Sequence, residues 1–63
     1  MKGVIQWYSP RKGYGFIEVE GEEDVFVHRS EVPMGIFLDE GDLVEFEKEE
    51  TEKGPRAVNV QKL

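Results

Sequence analysis

The chain contains no cysteine, so neither a disulfide framework nor a thiolate metal centre can compensate for a thin core. Its single histidine, His28, leaves a catalytic triad, a proton shuttle or a histidine metal cluster without the partners each would need. No segment approaches the run of about 20 apolar residues that spans a bilayer. Met1 to Gly3 lead directly into a β-like segment, without the charged lead, apolar stretch and small-residue cleavage site of a signal peptide. These absences predict a cytoplasmic monomer with no metal and no cofactor, stabilised by packing alone. A length of 63 residues predicts one domain, residues 1–63. A domain of that size buries only about 60% of the surface its unfolded chain exposes. It has little room for a deep catalytic cleft, so an enzyme is not expected.

Positive charge is also scarce, with 8 lysines and arginines against 14 acids and a formal net charge of -6. Binders of polyanions usually present a clustered positive surface, so the total argues against such a partner. The distribution argues the other way. Lys2, Arg11 and Lys12 stand in an acid-free N-terminal stretch, and Lys53, Arg56 and Lys62 stand in an acid-free C-terminal one. All the acids fall between Glu18 and Glu52, where only Arg29 and Lys48 oppose them. Separate electrostatic faces can result, although an acidic surplus also serves plain solubility. The acidic runs Glu22-Glu23-Asp24 and Glu49-Glu50 fall in expected turns, where solvated loops are favoured over acid-base chemistry.

Short period-two runs separated by Gly, Pro and charge predict an all-β chain. The runs are Val4–Tyr8, Tyr14–Val19, Asp24–His28, Leu43–Glu47 and Arg56–Gln61. The first three are close enough for an antiparallel meander. One helical turn is expected over Arg29–Pro33, and an acidic loop over Glu49–Pro55. Five strands this short cannot each bury a face in an open sheet, so a closed five-stranded antiparallel barrel is predicted.

Alternation then sorts two faces. Gly15, Ile17, Val19, Val25 and Val27 fall on one; Tyr14, Phe16, Glu18, Asp24, Phe26 and His28 fall on the other. Burying the second set would trap unpaired charges, so the aliphatic set is the expected core and the rings face outward. An outward aromatic cluster marks an interface, either for protein, with the acidic middle docking a basic partner, or for nucleic acid. Here the rings are interleaved with cations: Trp7 and Tyr8 precede Arg11 and Lys12, which precede Tyr14 and Phe16. Binders of single strands use rings to stack bases and cations to follow phosphates, which favours nucleic acid.

Lys12-Gly13-Tyr14-Gly15-Phe16-Ile17 resembles the first ribonucleoprotein motif, and Val25-Phe26-Val27-His28 resembles the second as cold-shock proteins carry it. The resemblance to that family extends along the whole chain, through Asp39-Glu40-Gly41, Gly54-Pro55 and Ala57-Val58-Asn59-Val60, with a shortened loop near Leu38. It implies the oligonucleotide-binding fold, a five-stranded Greek-key barrel. It also implies sequence-tolerant binding of single-stranded RNA and DNA by an RNA chaperone that modulates transcription and translation. Carried over by position, Trp7, Tyr14, Phe16, Phe26 and His28 would stack bases, with Phe37 a further platform and Lys12 near the backbone. Tyr8, Asp24 and Arg56 would lie near the strand, and Arg11 and Lys53 add charge at its borders. Gln6 stands where the family commonly has lysine, Tyr8 and Tyr14 where it has phenylalanine, and Arg29 where it has an aromatic ring.

Overall fold

The computed structural model describes the whole chain, residues 1–63. Its strands are β1 (Lys2–Ser9), β2 (Tyr14–Glu18), β3 (Val25–His28), β4 (Leu43–Thr51) and β5 (Gly54–Lys62), with one 3-10 turn at Arg29–Glu31. They close into a barrel in the order β1-β2-β3-β5-β4. No helix is long and apolar enough to cross a membrane.

Four seams are antiparallel and the fifth, between β3 and β5, is parallel. An odd number of strands requires this: direction cannot alternate all the way round a closed ring of five. The expected five-stranded antiparallel barrel is thus formed, with this one parallel closure. Phe26 and Arg56 are the residues placed opposite each other there.

The core follows the predicted aliphatic face. Ile17, Val25 and Val27 are fully buried, joined by Ile5, Val19, Val44, Phe46, Ala57 and Val60. Leu38, from the loop between the 3-10 turn and β4, completes the cluster as a plug. That loop is fixed by Asp42, whose carboxylate accepts the Asp39 N–H at 2.8 Å and lies 3.2 Å from Lys62 Nζ. The hydrogen bond first, and then the lysine, hold the Asp42 carboxyl below its usual pKa. Its contribution to stability is therefore present above the normal carboxylate range and fades as pH falls.

The expected loop over Glu49–Pro55 is not a loop. Glu49, Glu50 and Thr51 pair with Arg56, Pro55 and Gly54, leaving only Glu52 and Lys53 as the turn. Thr51 is the reason: its hydroxyl donates to the Gly54 carbonyl at 2.7 Å and accepts the Lys53 N–H at 3.2 Å. Charge in that segment marks a solvated hairpin, which period-two patterning of apolar residues does not detect.

Two irregularities break strict alternation. In β1, Ile5 pairs with Ile17 but Trp7 pairs with Phe16, so Gln6 is an extra residue. A bulge of this kind moves every following side chain to the opposite face. In β5 the register slips between Val58 and Gln61, where Asn59 takes a left-handed φ of 53°. The Asn59 N–H is donated at 3.1 Å to the Glu31 carboxylate of the 3-10 turn.

Candidate nucleic-acid interface

The outward face of β1, β2 and β3 carries four rings in one circuit. Trp7 lies 5.6 Å from Phe16 and 5.7 Å from Tyr14, and Phe26 lies 5.7 Å from Phe16 and 5.8 Å from Tyr14, centre to centre. Edge-to-face and tilted packing of this kind lets each ring shield part of its neighbours, while all four remain partly exposed. The cross-strand register explains the arrangement. Trp7, Phe16, Phe26 and Arg56 form a row across β1, β2, β3 and β5, ending at Glu49 on β4. Tyr14 and His28 stand opposite each other in a second row.

The β1 bulge decides which side Trp7 takes. With Ile5 buried, strict alternation would send Trp7 inward; the extra residue Gln6 turns it out beside Phe16. The same shift turns Tyr8 inward, where it packs against the core, so the structure does not bring Tyr8 into the ring cluster. Phe37 is 75% exposed on its loop and stands apart from the cluster. Its carbonyl accepts a 3.0 Å hydrogen bond from Lys62 Nζ.

His28 caps the 3-10 turn. Its Nδ1 accepts the Ser30 N–H at 3.1 Å, with the Ser30 hydroxyl 2.9 Å away. An acceptor Nδ1 places the proton of the neutral ring on Nε2 and fixes the imidazole beside Tyr14.

The cations divide into two groups. Lys48 is bonded to Glu22 at 2.9 Å, Lys62 to Asp42, and Arg56 lies 3.7 Å from Glu31. The contact with Glu22 chiefly raises the Lys48 pKa. Lys2, Arg11, Lys12, Arg29 and Lys53 take part in no ion pair. Arg11 and Lys12 occupy the turn leading to Tyr14, where the Lys12 N–H is donated to Ser9 Oγ at 3.2 Å. Gly13 follows with φ +79°, and the Arg29 side chain packs over it, since a Cβ on Gly13 would lie 2.9 Å from Arg29 Cδ. The Arg29 N–H also bonds the Gly13 carbonyl at 2.9 Å. Sequence separation thus hides the approach of one unpaired cation, Arg29, to the turn that carries two others, Arg11 and Lys12, next to the Tyr14–His28 row. Asp24, Lys53 and Arg56 instead line a cleft of about 830 Å³ beside Phe16 and Phe26. No group of three or more His, Asp or Glu side chains is arranged to hold a metal ion.

This placement makes Arg29 testable. Each phosphate neutralised on a single strand contributes about -0.7 to the slope of log affinity against log salt, while stacking contributes almost nothing. Arg29→Phe is expected to flatten that slope by up to about 0.7 and to strengthen binding at high salt. Affinity for one oligothymidine across a salt series, in both proteins, measures it; parallel slopes would mean that Arg29 serves only to cover Gly13.

Residues 1–63 match the family model described as 'Cold-shock' DNA-binding domain. The chain is similar to cold shock protein CspA of Staphylococcus aureus, 52% identical over 64 residues that cover 98% of this chain and 97% of that protein. Cold shock protein CspA of Staphylococcus haemolyticus matches at the same identity and coverage. Among solved structures, drosophila Unr CSD456 superposes with a TM-score of 0.78 at 28% identity, over 98% of this chain and 26% of the other.

Proposed function

From the chain's membership of the 'cold-shock' DNA-binding domain family, whose five-stranded oligonucleotide-binding barrel it forms, we propose that it binds single-stranded RNA and DNA. Binding is largely sequence-tolerant, and the chain acts as an RNA chaperone that keeps transcripts unpaired and thereby modulates transcription or translation. It works as a cytoplasmic monomer of one domain and catalyses no reaction. The observation that carries this reading is the four-ring circuit of Trp7, Tyr14, Phe16 and Phe26, entered by a turn that holds the unpaired Arg11 and Lys12 and is covered at Gly13 by the unpaired Arg29. Open ring faces accept any base that has a free face, which accounts for tolerance. Cations at one border take the phosphates without neutralising the rest of an acidic surface. In this reading His28 and Phe37 extend the platform, and Gln6 flanks it.

The single tryptophan sits in the circuit and reports on it. Pyrimidine-rich single strands should quench Trp7 fluorescence, and duplex DNA of equal length should do so weakly, because paired bases have no free face. No fluorescence change and no binding by a second method would remove the proposal and favour a protein partner for the same rings.

Phe26→Ala, at the junction of the circuit and the β3–β5 seam, should weaken single-strand affinity by about 1 to 3 kcal/mol. Its melting temperature should move far less than that of a core variant, because the ring is only half-buried. Equal affinities for the two proteins would show that bases do not stack there.

A further inference from the structure

In the sequence Lys62 belongs to the basic C-terminal stretch; in the fold its charge is engaged by the chain itself. Its backbone is fixed at the end of β5, opposite Val44, with the Leu63 N–H bonded to the Leu43 carbonyl at 2.9 Å. From there the ammonium meets two oxygens, the Phe37 carbonyl at 3.0 Å and an Asp42 carboxylate oxygen at 3.2 Å. Asp42 is fixed in turn, since the same oxygen accepts the Asp39 N–H and its own carbonyl accepts the Ile5 N–H, each at 2.8 Å. A phosphate would have to displace a carboxylate to reach this lysine, so its action falls on the loop that carries Phe37.

That loop would otherwise leave Phe37 free to swing. The ring is largely exposed and lies outside the four-ring circuit, and just before it Met34 is fully exposed and Gly35 takes φ +86°. The Ile36 N–H closes this turn on the Pro33 carbonyl at 3.1 Å. On the other side the buried Leu38 pins the chain to the core. Between these two points, the Phe37 carbonyl is the atom that Lys62 holds. Its oxygen belongs to the rigid peptide plane shared with Leu38, so holding it restricts the backbone direction from which the ring projects.

We infer that Lys62, held in place by Asp42, is a positioning residue that presets Phe37 as a stacking platform for the strand. A ring on an unrestrained loop loses part of its stacking gain to the ordering of that loop, whereas a ring already ordered does not. The clasp reaches from the last residues of β5 to a carbonyl 25 residues earlier, so the C-terminal end of the barrel acts on binding without touching the ligand. Lys62 therefore differs in kind from Arg11, Lys12 and Arg29, which take part in no ion pair. This assignment rests on the single-strand reading above and concerns one ring outside the circuit, which does not depend on it.

The test compares heptathymidylate binding, followed by Trp7 fluorescence across a salt series, in the parent, Phe37→Ala, Lys62→Met and the double variant. Phe37→Ala should weaken binding about tenfold, within the range of one stacked base. Lys62→Met should weaken it about two- to tenfold, the effect of one more group to be immobilised on binding, with the salt slope unchanged. In the Phe37→Ala background the same lysine change should have no further effect, because no ring is left to aim; a merely structural role would weaken both backgrounds alike. Equal losses in the two backgrounds overturn the assignment, as does parental affinity in either single variant. A salt slope flattened by about 0.7 also overturns it, by making Lys62 a phosphate contact. Each of those outcomes leaves the proposed function standing on the four-ring circuit, whereas failure of the parent to bind overturns both.

Discussion

Phe46→Ala is expected to leave the chain largely unfolded at 25 °C, whereas the same truncation at Phe16 should leave it folded. Phe46 is the largest side chain in the core, 2% exposed, packed among Ile5, Val44, Val60 and their neighbours. Removing a buried phenylalanine typically costs about 3 to 5 kcal/mol through lost transfer energy and the cavity left behind. At roughly 0.05 to 0.15 kcal/mol per residue, a chain this short has only about 3 to 9 kcal/mol to lose. No disulfide or metal stands in reserve. Phe16 lies half-buried on the outward face and leaves no internal void when truncated. Urea titration followed by circular dichroism compares the two variants with the parent. A folded Phe46→Ala of near-parental midpoint would mean that the barrel collapses around the gap.

The contrast between these two phenylalanines shows what sequence can disclose. In β2 and β3 the faces were legible because each strand carries one unmixed set: Ile17, Val25 and Val27 against Glu18, Asp24 and His28. No arrangement that buries the second set satisfies its charges, so the outward rings follow by elimination, and the burial of the valines agrees. The closed barrel was legible for a similar reason, since five short strands have no other way to hide their edges. The family resemblance supplied the fold's name and the roles proposed for each ring, and the family match supports the former.

What stayed hidden depends on events at single residues that periodicity averages out. Gln6 has nothing in its chemistry to mark it as an extra residue. Only the conflict between a buried Ile5 and an outward Trp7, two positions that alternation places on one face, could have signalled the bulge. Leu38 sits in an acidic loop beside exposed Phe37, so its burial depends on how the loop crosses the barrel end. Extension of the β4–β5 hairpin rests on the Thr51 hydroxyl and not on an apolar pattern. The link from Glu31 to Arg56 and Asn59 joins residues 25 or more apart, and it forms only because β3 and β5 run side by side at the parallel seam.

The bulge also has a counterpart on β2, and it yields the second large expected effect. Gly15 is buried opposite Tyr8, where β1 crosses so closely that an added Cβ would collide with the Trp7 carbonyl oxygen and lie 2.7 Å from Tyr8 Cα. Its φ is ordinary for a strand, so the requirement for glycine is space alone. Gly15→Ala must push β1 away from β2. Overpacking of this kind costs about 1 to 3 kcal/mol and sometimes more, and the obstructing atoms here are backbone, which yields less readily than a side chain. Trp7 belongs to the displaced segment, so the circuit should open and single-strand affinity should fall even in molecules that remain folded. Gly21→Ala is the matched control. Gly21, in the turn between β2 and β3, has φ +76° with nothing within 4 Å of the added Cβ, so alanine there adds only backbone strain, about 1 to 2 kcal/mol, without a contact to any ring. Both variants should melt earlier than the parent. Measured well below their melting temperatures, only Gly15→Ala should lose quenching of Trp7 by a single strand. Equal quenching in the two would show that the tryptophan is aimed by its contacts with Tyr14 and Phe16, and that the close approach over Gly15 matters to stability alone.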